Sequence, residues 1–462
     1  MAHADALVPA GDRLASHAAV QHRFSAIRDI LPDDDAAIAL RSVPGDPRRP
    51  LTFGRLQRFL AGFDVARFGI AQGSRLCISL PNGPEAAVAF LVTSLYCTCA
   101  PINVALTAAE LAFEFEDLPA SACIAQRGED NTILLAECVR LHVPLLELVP
   151  SADVVGEFTL GPFATESGAL PSAVSRELSA RSDVALVLHT SGTTAKPKIV
   201  PLHHENLVVG ALQIAACLQL DGQRSVNLNV MPLYHIHAIS INLLASLVAG
   251  AQCVAAPGPQ ADRLLTEWLS ASPRPTWYSS VPTIHGLLLR SAEAMGLDAP
   301  GAIVHSLLFA RSESSMLPLP IGRALERLFD LSVSQTYAMT ESMPIANNPV
   351  GPSRKLHSVG PAAGPEIRIC EDEGASLSRG AEGEVCVRGA CVTVGYELRA
   401  HMASDPNVRS FHADAGPMSR LAGAGVWVRY DPARAWLRTG DKGFVDEDGH
   451  VNLVRGSRGV HH

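Results

Sequence analysis

The stretch TSGTTAKPKIVP, Thr190 to Pro201, follows directly on the apolar run VALVLH, Val184 to His189. An apolar run of that length reads as a buried strand, and it empties into a loop built from hydroxyls, a glycine and lysines. Gly192 lets the backbone approach a ligand closely. The hydroxyls of Thr190, Ser191, Thr193 and Thr194, with the ammonium groups of Lys196 and Lys198, suit an anion carrying several oxygens. Phosphate is the natural guest, although the spacing departs from the common phosphate loop, in which Gly-Lys and then Ser or Thr follow a glycine four residues on. A solvated Ser/Thr/Lys turn is the competing reading of the stretch taken alone.

Working outward, the 462 residues have room for several domains or one large domain with a satellite. With 47% hydrophobic and 18% charged residues and a formal charge of −9, the chain lacks the basic stripe of a nucleic-acid binder, and small-molecule chemistry is the better expectation. The ten cysteines are scattered, with no Cys-x-x-Cys pair, so neither zinc nor a disulfide framework is expected, and a reducing, cytoplasmic setting fits. No secretory signal is read in the first thirty residues. The uncharged stretch 238–257 is long enough to cross a bilayer, but Asn242, Gly250, Gln252 and Pro257 divide it, predicting a buried helix followed by a strand.

The pattern predicts an α/β fold. Residues 1–50 form an N-terminal extension with the first helices. Residues 51–149 alternate helix and strand as a first lobe, with Thr107 and Glu110 at capping-box spacing. Residues 150–182 read as a surface connection, and 183–358 as a second α/β lobe whose strand ends gather loops where doubly wound sheets bind ligands. Residues 359–455 alternate around glycines as a β-rich lobe, and 456–462 are a short final segment.

The segments LHTSGTTAKPKIVPLHHENL, MPLYHIHAISINLLASLVAG, TWYSSVPTIHGLLL, QTYAMTES, HSVGPAAGPEIRI, GEVCVRGACVTVGYE and LRTGDKGFVDEDGHV occur together in the order found in adenylate-forming enzymes. Over about residues 50–455 the chain resembles that superfamily, and most of all its acyl-CoA synthetases of the oxalate-CoA ligase type. The resemblance implies a large adenylate-forming domain of two α/β lobes and a small β-rich lobe. It also implies ATP-dependent ligation of a small or medium carboxylic acid to coenzyme A through an acyl-adenylate, with ATP, Mg²⁺ and coenzyme A as cofactor and co-substrates.

It further implies residue roles. The loop Thr190 to Lys198 holds the β- and γ-phosphates; Tyr337 stacks on adenine; Thr340 lies near the phosphates; Glu341 positions Mg²⁺; Asp441 accepts from the ribose hydroxyls. His235 stands where the acid pocket meets the coenzyme A tunnel, with His237 nearby. In FARSESSM the backbone through Ser314 and Ser315 borders adenine, as does Gln335, while Arg311 and Ser312 line the acid pocket and favour a small polar acid such as oxalate. Taken singly, each has a plainer reading: a structural histidine, a solvated carboxylate, a core ring, or for Arg311 an ordinary ion-pair partner.

Three departures stand out. Ala195 and Ile199 occupy positions where the resembled family carries glycine. The part from about Gly416 to Ala435 has no counterpart and no clear period, as a surface loop or translated intron would. At the hinge, RGSRGVHH replaces the expected motif, so the C-terminal lid domain, about 100 residues or more, is expected to be absent with its adenylation lysine. Peroxisomal signals occur at the C-terminus of full-length relatives of the type. A catalytically weak or silent ATP- or acyl-binding remnant is the alternative to an active ligase.

Overall fold

The structure is a computed structural model that describes residues 26–163, 172–190, 197–372, 374–399, 402, 404–413, 420–422, 428–431 and 433–454. Two large sheets organise it. The first has seven strands in the order Phe158–Pro162, Leu145–Pro150, Ala122–Gln126, Arg75–Ser79, Thr98–Pro101, Val184–His189 and Ile199–His203, parallel at its centre and antiparallel at both edges. The second has eight strands, Ser342–Asn347, Ser332–Met339, Phe309–Ser312, Trp277–Ser280, Val226–Asn229, Gln252–Ala255, Ile38–Ser42 and Leu51–Thr52, parallel except for the outermost strand at each edge.

Helices fill the space between these sheets and cover their outer faces. Pro84–Tyr96 is buried along all 13 residues and packs against strands of both sheets, which explains why its central run AAVAFLV, Ala86 to Val92, is apolar all round. His204–Cys217 and the continuous helical stretch from His237 to Val248 share that central core. Ala108–Asp117 and Thr132–Arg140 cover the outside of the seven-stranded sheet. Pro282–Ala294 and Leu319–Phe329 cover the outside of the eight-stranded one. Parallel strands buried on both faces need such cover, and they read as near-continuous apolar runs.

The capping box at Thr107 is formed: Thr107 N–H donates to Glu110 Oε2 at 2.9 Å and Glu110 N–H to Thr107 Oγ1 at 3.4 Å. Residues 238–257 form the expected buried helix and strand, and no helix among the described residues is long and apolar enough to cross a membrane.

Strand allegiance differs from expectation in three places. Val184–His189 and Ile199–His203, expected to open the second lobe, complete the seven-stranded sheet, where Leu186 pairs with Cys99. Ile38–Ser42, expected in a helical extension, pairs parallel to Gln252–Ala255 in the eight-stranded sheet. Phe158–Pro162, expected in a surface connection, is an edge strand on Leu145–Pro150. Apolar alternation signals a strand but carries no label for its neighbour, and these partners lie far apart in the chain or on an edge.

The β-rich lobe is a sheet ordered Glu366–Cys370, Gly383–Arg388, Ala435–Val445 and Phe411–Ala413, with Val451–Leu453 paired to the long third strand. Within the segment that lacked a counterpart, Arg420–Ala422 and Val428–Tyr430 pair as a two-stranded antiparallel ladder.

Candidate active site

The loop that opens at Thr190 is pinned at its base. Thr190 N–H donates to the Lys198 carbonyl at 2.9 Å, and Lys198 N–H donates to Thr190 Oγ1 at 3.1 Å. Strand pairing of His189 with Ile199 fixes the two legs just below. Ser191, Gly192, Thr193, Thr194 and Lys196 lie outside the described residues, as does Ala195.

Lys198 reaches across to the β-rich side. Its Nζ stands 4.0 Å from the centre of the Tyr396 ring, a cation–π contact. Burial lowers its pKa from the usual lysine value, against the opposing pull of Glu341. The Tyr396 hydroxyl donates to Glu341 Oε1 at 2.6 Å, and Tyr396 is itself held through its backbone by Asn407 at 2.7 and 3.0 Å. Glu341 is only 5% exposed. Burial pushes its carboxyl above the ordinary range, while the Tyr396 hydroxyl and Lys198 pull it back. Lys198 and Glu341, 143 positions apart by their numbers, are thus brought together with a third residue, Tyr396, that sequence reasoning left out of the site. Its signal was present in the GYE of the quoted motifs.

A carboxylate held by one phenol and facing one ammonium has capacity for a further cation. Mg²⁺ keeps several waters and takes one or two carboxylates together with phosphate oxygens, so the donor set here fits it with Glu341 as the protein ligand. Among the described residues, the one cluster with three metal-ligating side chains is elsewhere: Cys370, Cys386 and His412 on the β-rich sheet, where Arg368 donates to His412 Nε2 at 2.6 Å.

Tyr337 and Asp441 meet directly. The phenol donates to Asp441 Oδ2 at 2.6 Å, and the two residues are 7% and 5% exposed. Thr340 sits in the tight turn between Ser332–Met339 and Ser342–Asn347, one residue before Glu341. Gln335 lies in the strand alongside Ser312. At Ser314 the chain leaving Phe309–Ser312 takes φ +70°, a left-handed conformation that a non-glycine residue adopts under constraint, and Ser315 follows it.

The acid-pocket candidates form a buried polar cluster. Arg311 and Glu313, 0% and 1% exposed, are joined in a two-point contact, Nη1 to Oε2 at 2.9 Å and Nη2 to Oε1 at 3.1 Å. Arg311 also donates to Ser279 Oγ at 3.4 Å and to Asn347 Oδ1 at 3.3 Å. The expectation that Arg311 offers its charge to a substrate therefore meets an arrangement in which Glu313, two residues on, neutralises it. His237 lies against the same cluster, Nε2 at 2.7 Å from Ser279 Oγ, and burial followed by the Arg311 charge drives its pKa far below the usual value, so its ring is neutral. Ser312 Oγ is buried without a hydrogen-bond partner among the described residues. His235 is exposed and accepts the His237 N–H at its Nδ1, 3.2 Å away.

Residues 37–397 match the family described as AMP-binding enzyme. The chain is 33% identical to a probable CoA ligase of Humulus lupulus over 414 residues, 87% of this chain and 72% of that protein. It is 32% identical to an oxalate–CoA ligase of Arabidopsis thaliana over 400 residues, 84% and 70% of the two. A sulfoacetate–CoA ligase of Cupriavidus necator is 29% identical over 419 residues, 88% and 73%. In fold it is similar to apo MatB from Rhodopseudomonas palustris, with a TM-score of 0.72 at 24% identity over 93% of this chain and 78% of that one. The ordered motifs, the paired α/β sheets and the sequence match over residues 37–397 lead to one conclusion: the chain belongs to the AMP-binding enzymes, on their acyl-CoA ligase branch.

Proposed function

We propose that the chain is an AMP-forming ligase for a small, polar carboxylic acid, with adenylation carried out where Lys198, Tyr396 and Glu341 meet. That meeting is the observation that carries the reading. An acid oxygen attacks the α-phosphorus of ATP, the bond to the bridging oxygen breaks, and pyrophosphate leaves. The coenzyme A thiolate then attacks the acyl carbonyl and AMP departs. Bringing two anions together is the obstacle in the first step, so the site must neutralise phosphate charge and hold the reactants in line.

In this reading the base of the loop, Thr190 and Lys198, orients the terminal phosphates, together with Ser191, Gly192, Thr193, Thr194 and Lys196. Glu341 holds Mg²⁺, which supplies charge neutralisation at the phosphates, and Thr340 lies beside them. Tyr337, with its phenol tethered to Asp441, offers a ring face to adenine, and Asp441 Oδ1 accepts from ribose. Ser314, Ser315 and Gln335 border the base. His235 guards the passage between acid and thiol.

The acid itself meets a cluster of polar groups whose charges already cancel: Arg311 with Glu313, and a neutral His237. Such a cluster favours an acid whose far end is hydrogen-bonded rather than one with a long apolar tail, and the Ser312 hydroxyl, without a hydrogen-bond partner among the described residues, is a ready donor. The oxalate and sulfoacetate ligases among the relatives support a small substrate.

The test is ATP–pyrophosphate isotope exchange on the purified chain, offering oxalate, short dicarboxylates and fatty acids in turn. Exchange with a short polar acid that disappears in Glu341→Ala is the expected result. Exchange confined to fatty acids overturns the substrate class; ATP binding without exchange for any acid favours a nucleotide-binding remnant.

A further inference from the structure

His189 ends the strand that delivers the chain to Thr190, and nothing in the adenylation chemistry requires a histidine there. Its ring lies between two carboxylates of the helix Ala108–Asp117: Nδ1 is 2.6 Å from Glu114 Oε2 and Nε2 is 2.8 Å from Asp117 Oδ2. A neutral imidazole carries one N–H and can satisfy only one of these acceptors, whereas the protonated ring donates to both. The ring of Phe113 lies 5.8 Å away, tilted, on the same helix.

The contacts continue into a closed circuit. Asp117, 4% exposed, also accepts from Arg399 Nε at 3.2 Å. Arg399 Nη1 donates to Glu397 Oε1 at 3.2 Å, and Glu397 is ion-paired with Arg75. The Glu397 N–H donates to the carbonyl of Ile199 at 3.1 Å, and Ile199 is the strand partner of His189. The circuit thus grips the outgoing leg of the loop at His189 and the returning leg at Ile199. With His189 protonated, three cations (His189, Arg75, Arg399) face three carboxylates (Glu114, Asp117, Glu397). Without that proton the ring donates to only one of its two carboxylates, and the other loses its imidazole donor. Tyr396, whose phenol holds Glu341 and whose ring faces Lys198, is the residue next to Glu397.

We propose that His189 is a positioning residue for the two described ends of the nucleotide loop, Thr190 and Lys198, its doubly donating ring fastening the strand that leads into Thr190 to the helix Ala108–Asp117 while Glu397 holds Ile199 on the returning side. This rests on the reading of that loop as the phosphate site. Burial alone lowers the pKa of the ring, but the two carboxylates outweigh it and raise the pKa to about 9. The sign follows: a histidine raised in the folded state contributes in full below the ordinary histidine range, and its contribution is lost as pH rises through about 9.

Two measurements on the full chain test it. In histidine-selective NMR, with His189→Gln identifying the signal, the ring is expected to titrate near the raised value; titration in the ordinary range of about 6–7 overturns the clasp. In calorimetric titration with Mg·ATP, the wild type is expected to lose affinity by about tenfold as pH passes through the transition. His189→Gln is expected to bind weakly already at neutral pH and to show no such alkaline loss. Glu114→Gln in that background, which removes one of the two carboxylates facing the ring, should recover most of the affinity and restores a foldable variant should the single one fail. An alkaline loss of equal size in His189→Gln and wild type assigns it to another group and overturns the positioning role. Absence of ATP binding at every pH sinks the nucleotide reading, while the NMR titration still decides the clasp.

Discussion

The phenol of Tyr337 donates to the carboxylate of Asp441 across 2.6 Å, joining residues 104 positions apart and tying the eight-stranded sheet to the β-rich sheet at the proposed ribose site. Both are buried, so the bond forms where a lost partner is not replaced freely by water. Tyr337→Phe keeps the ring and removes only the donor. Urea unfolding of this variant should show a loss of about 1.5–3 kcal/mol, the range for a hydrogen bond to a charged group. A change within error would mean that water takes over the Asp441 oxygen.

Glu341 sets stability against activity. Burial raises its carboxyl pKa, so the folded state binds its proton more tightly than the unfolded state. Stability contributed by this group is therefore present at low pH and is lost as pH rises from the ordinary carboxylate range through the raised value. Glu341→Gln removes that titration, keeps an acceptor for Tyr396, and should raise the thermal midpoint at neutral pH. Pyrophosphate exchange in the same variant should fall about a hundred- to a thousand-fold, as for loss of one preorganised electrostatic group. A lower midpoint at neutral pH would show that the pull of Lys198 and Tyr396 outweighs desolvation.

Much of this was legible in the chain. The capping box at Thr107, the helix-strand alternation from residue 51 and the buried helix and strand of 238–257 each announce themselves through local pattern, and Glu341, Asp441 and the Thr190 loop stand in motifs that can be read in order. What escaped are pairings. The sequence of Val184–His189 is equally good strand in either sheet, and only packing beside Thr98–Pro101 assigns it to the first. Arg311 reads equally as a pocket-lining cation or an ion-pair partner, and only the folded chain shows that Glu313, two residues on, is that partner. His189 reads as a strand terminus, because its partners Glu114 and Asp117 are more than seventy positions upstream.

The Arg311–Glu313 pair makes its own forecast. Its ions are fully desolvated, so removing one charge strands the other. Glu313→Gln should cost about 3–5 kcal/mol in chemical unfolding, whereas the double change Arg311→Met with Glu313→Gln should recover most of that loss. Equal losses in the single and double variants would indicate that Arg311 is needed for its bonds to Ser279 and Asn347 rather than for matching Glu313.

Gly210 places two opposed effects in direct competition. It lies inside the helix His204–Cys217, where alanine is intrinsically favoured by about 1 kcal/mol. A Cβ at that position would stand 2.1 Å from the carbonyl oxygen of Met343 and 3.3 Å from its carbonyl carbon, in the strand that begins one residue after Glu341. A backbone atom cannot rotate away as a side chain would, so helix and strand must separate, and overpacking of this kind typically costs about 1–3 kcal/mol. Steric cost outweighs propensity, and Gly210→Ala should be destabilised in urea unfolding. Displacement of Ser342–Asn347 also moves Glu341 relative to Tyr396, so pyrophosphate exchange should fall even at temperatures where the variant is fully folded. A stabilised variant with unchanged exchange would show that the helix and strand have room to part without disturbing Glu341.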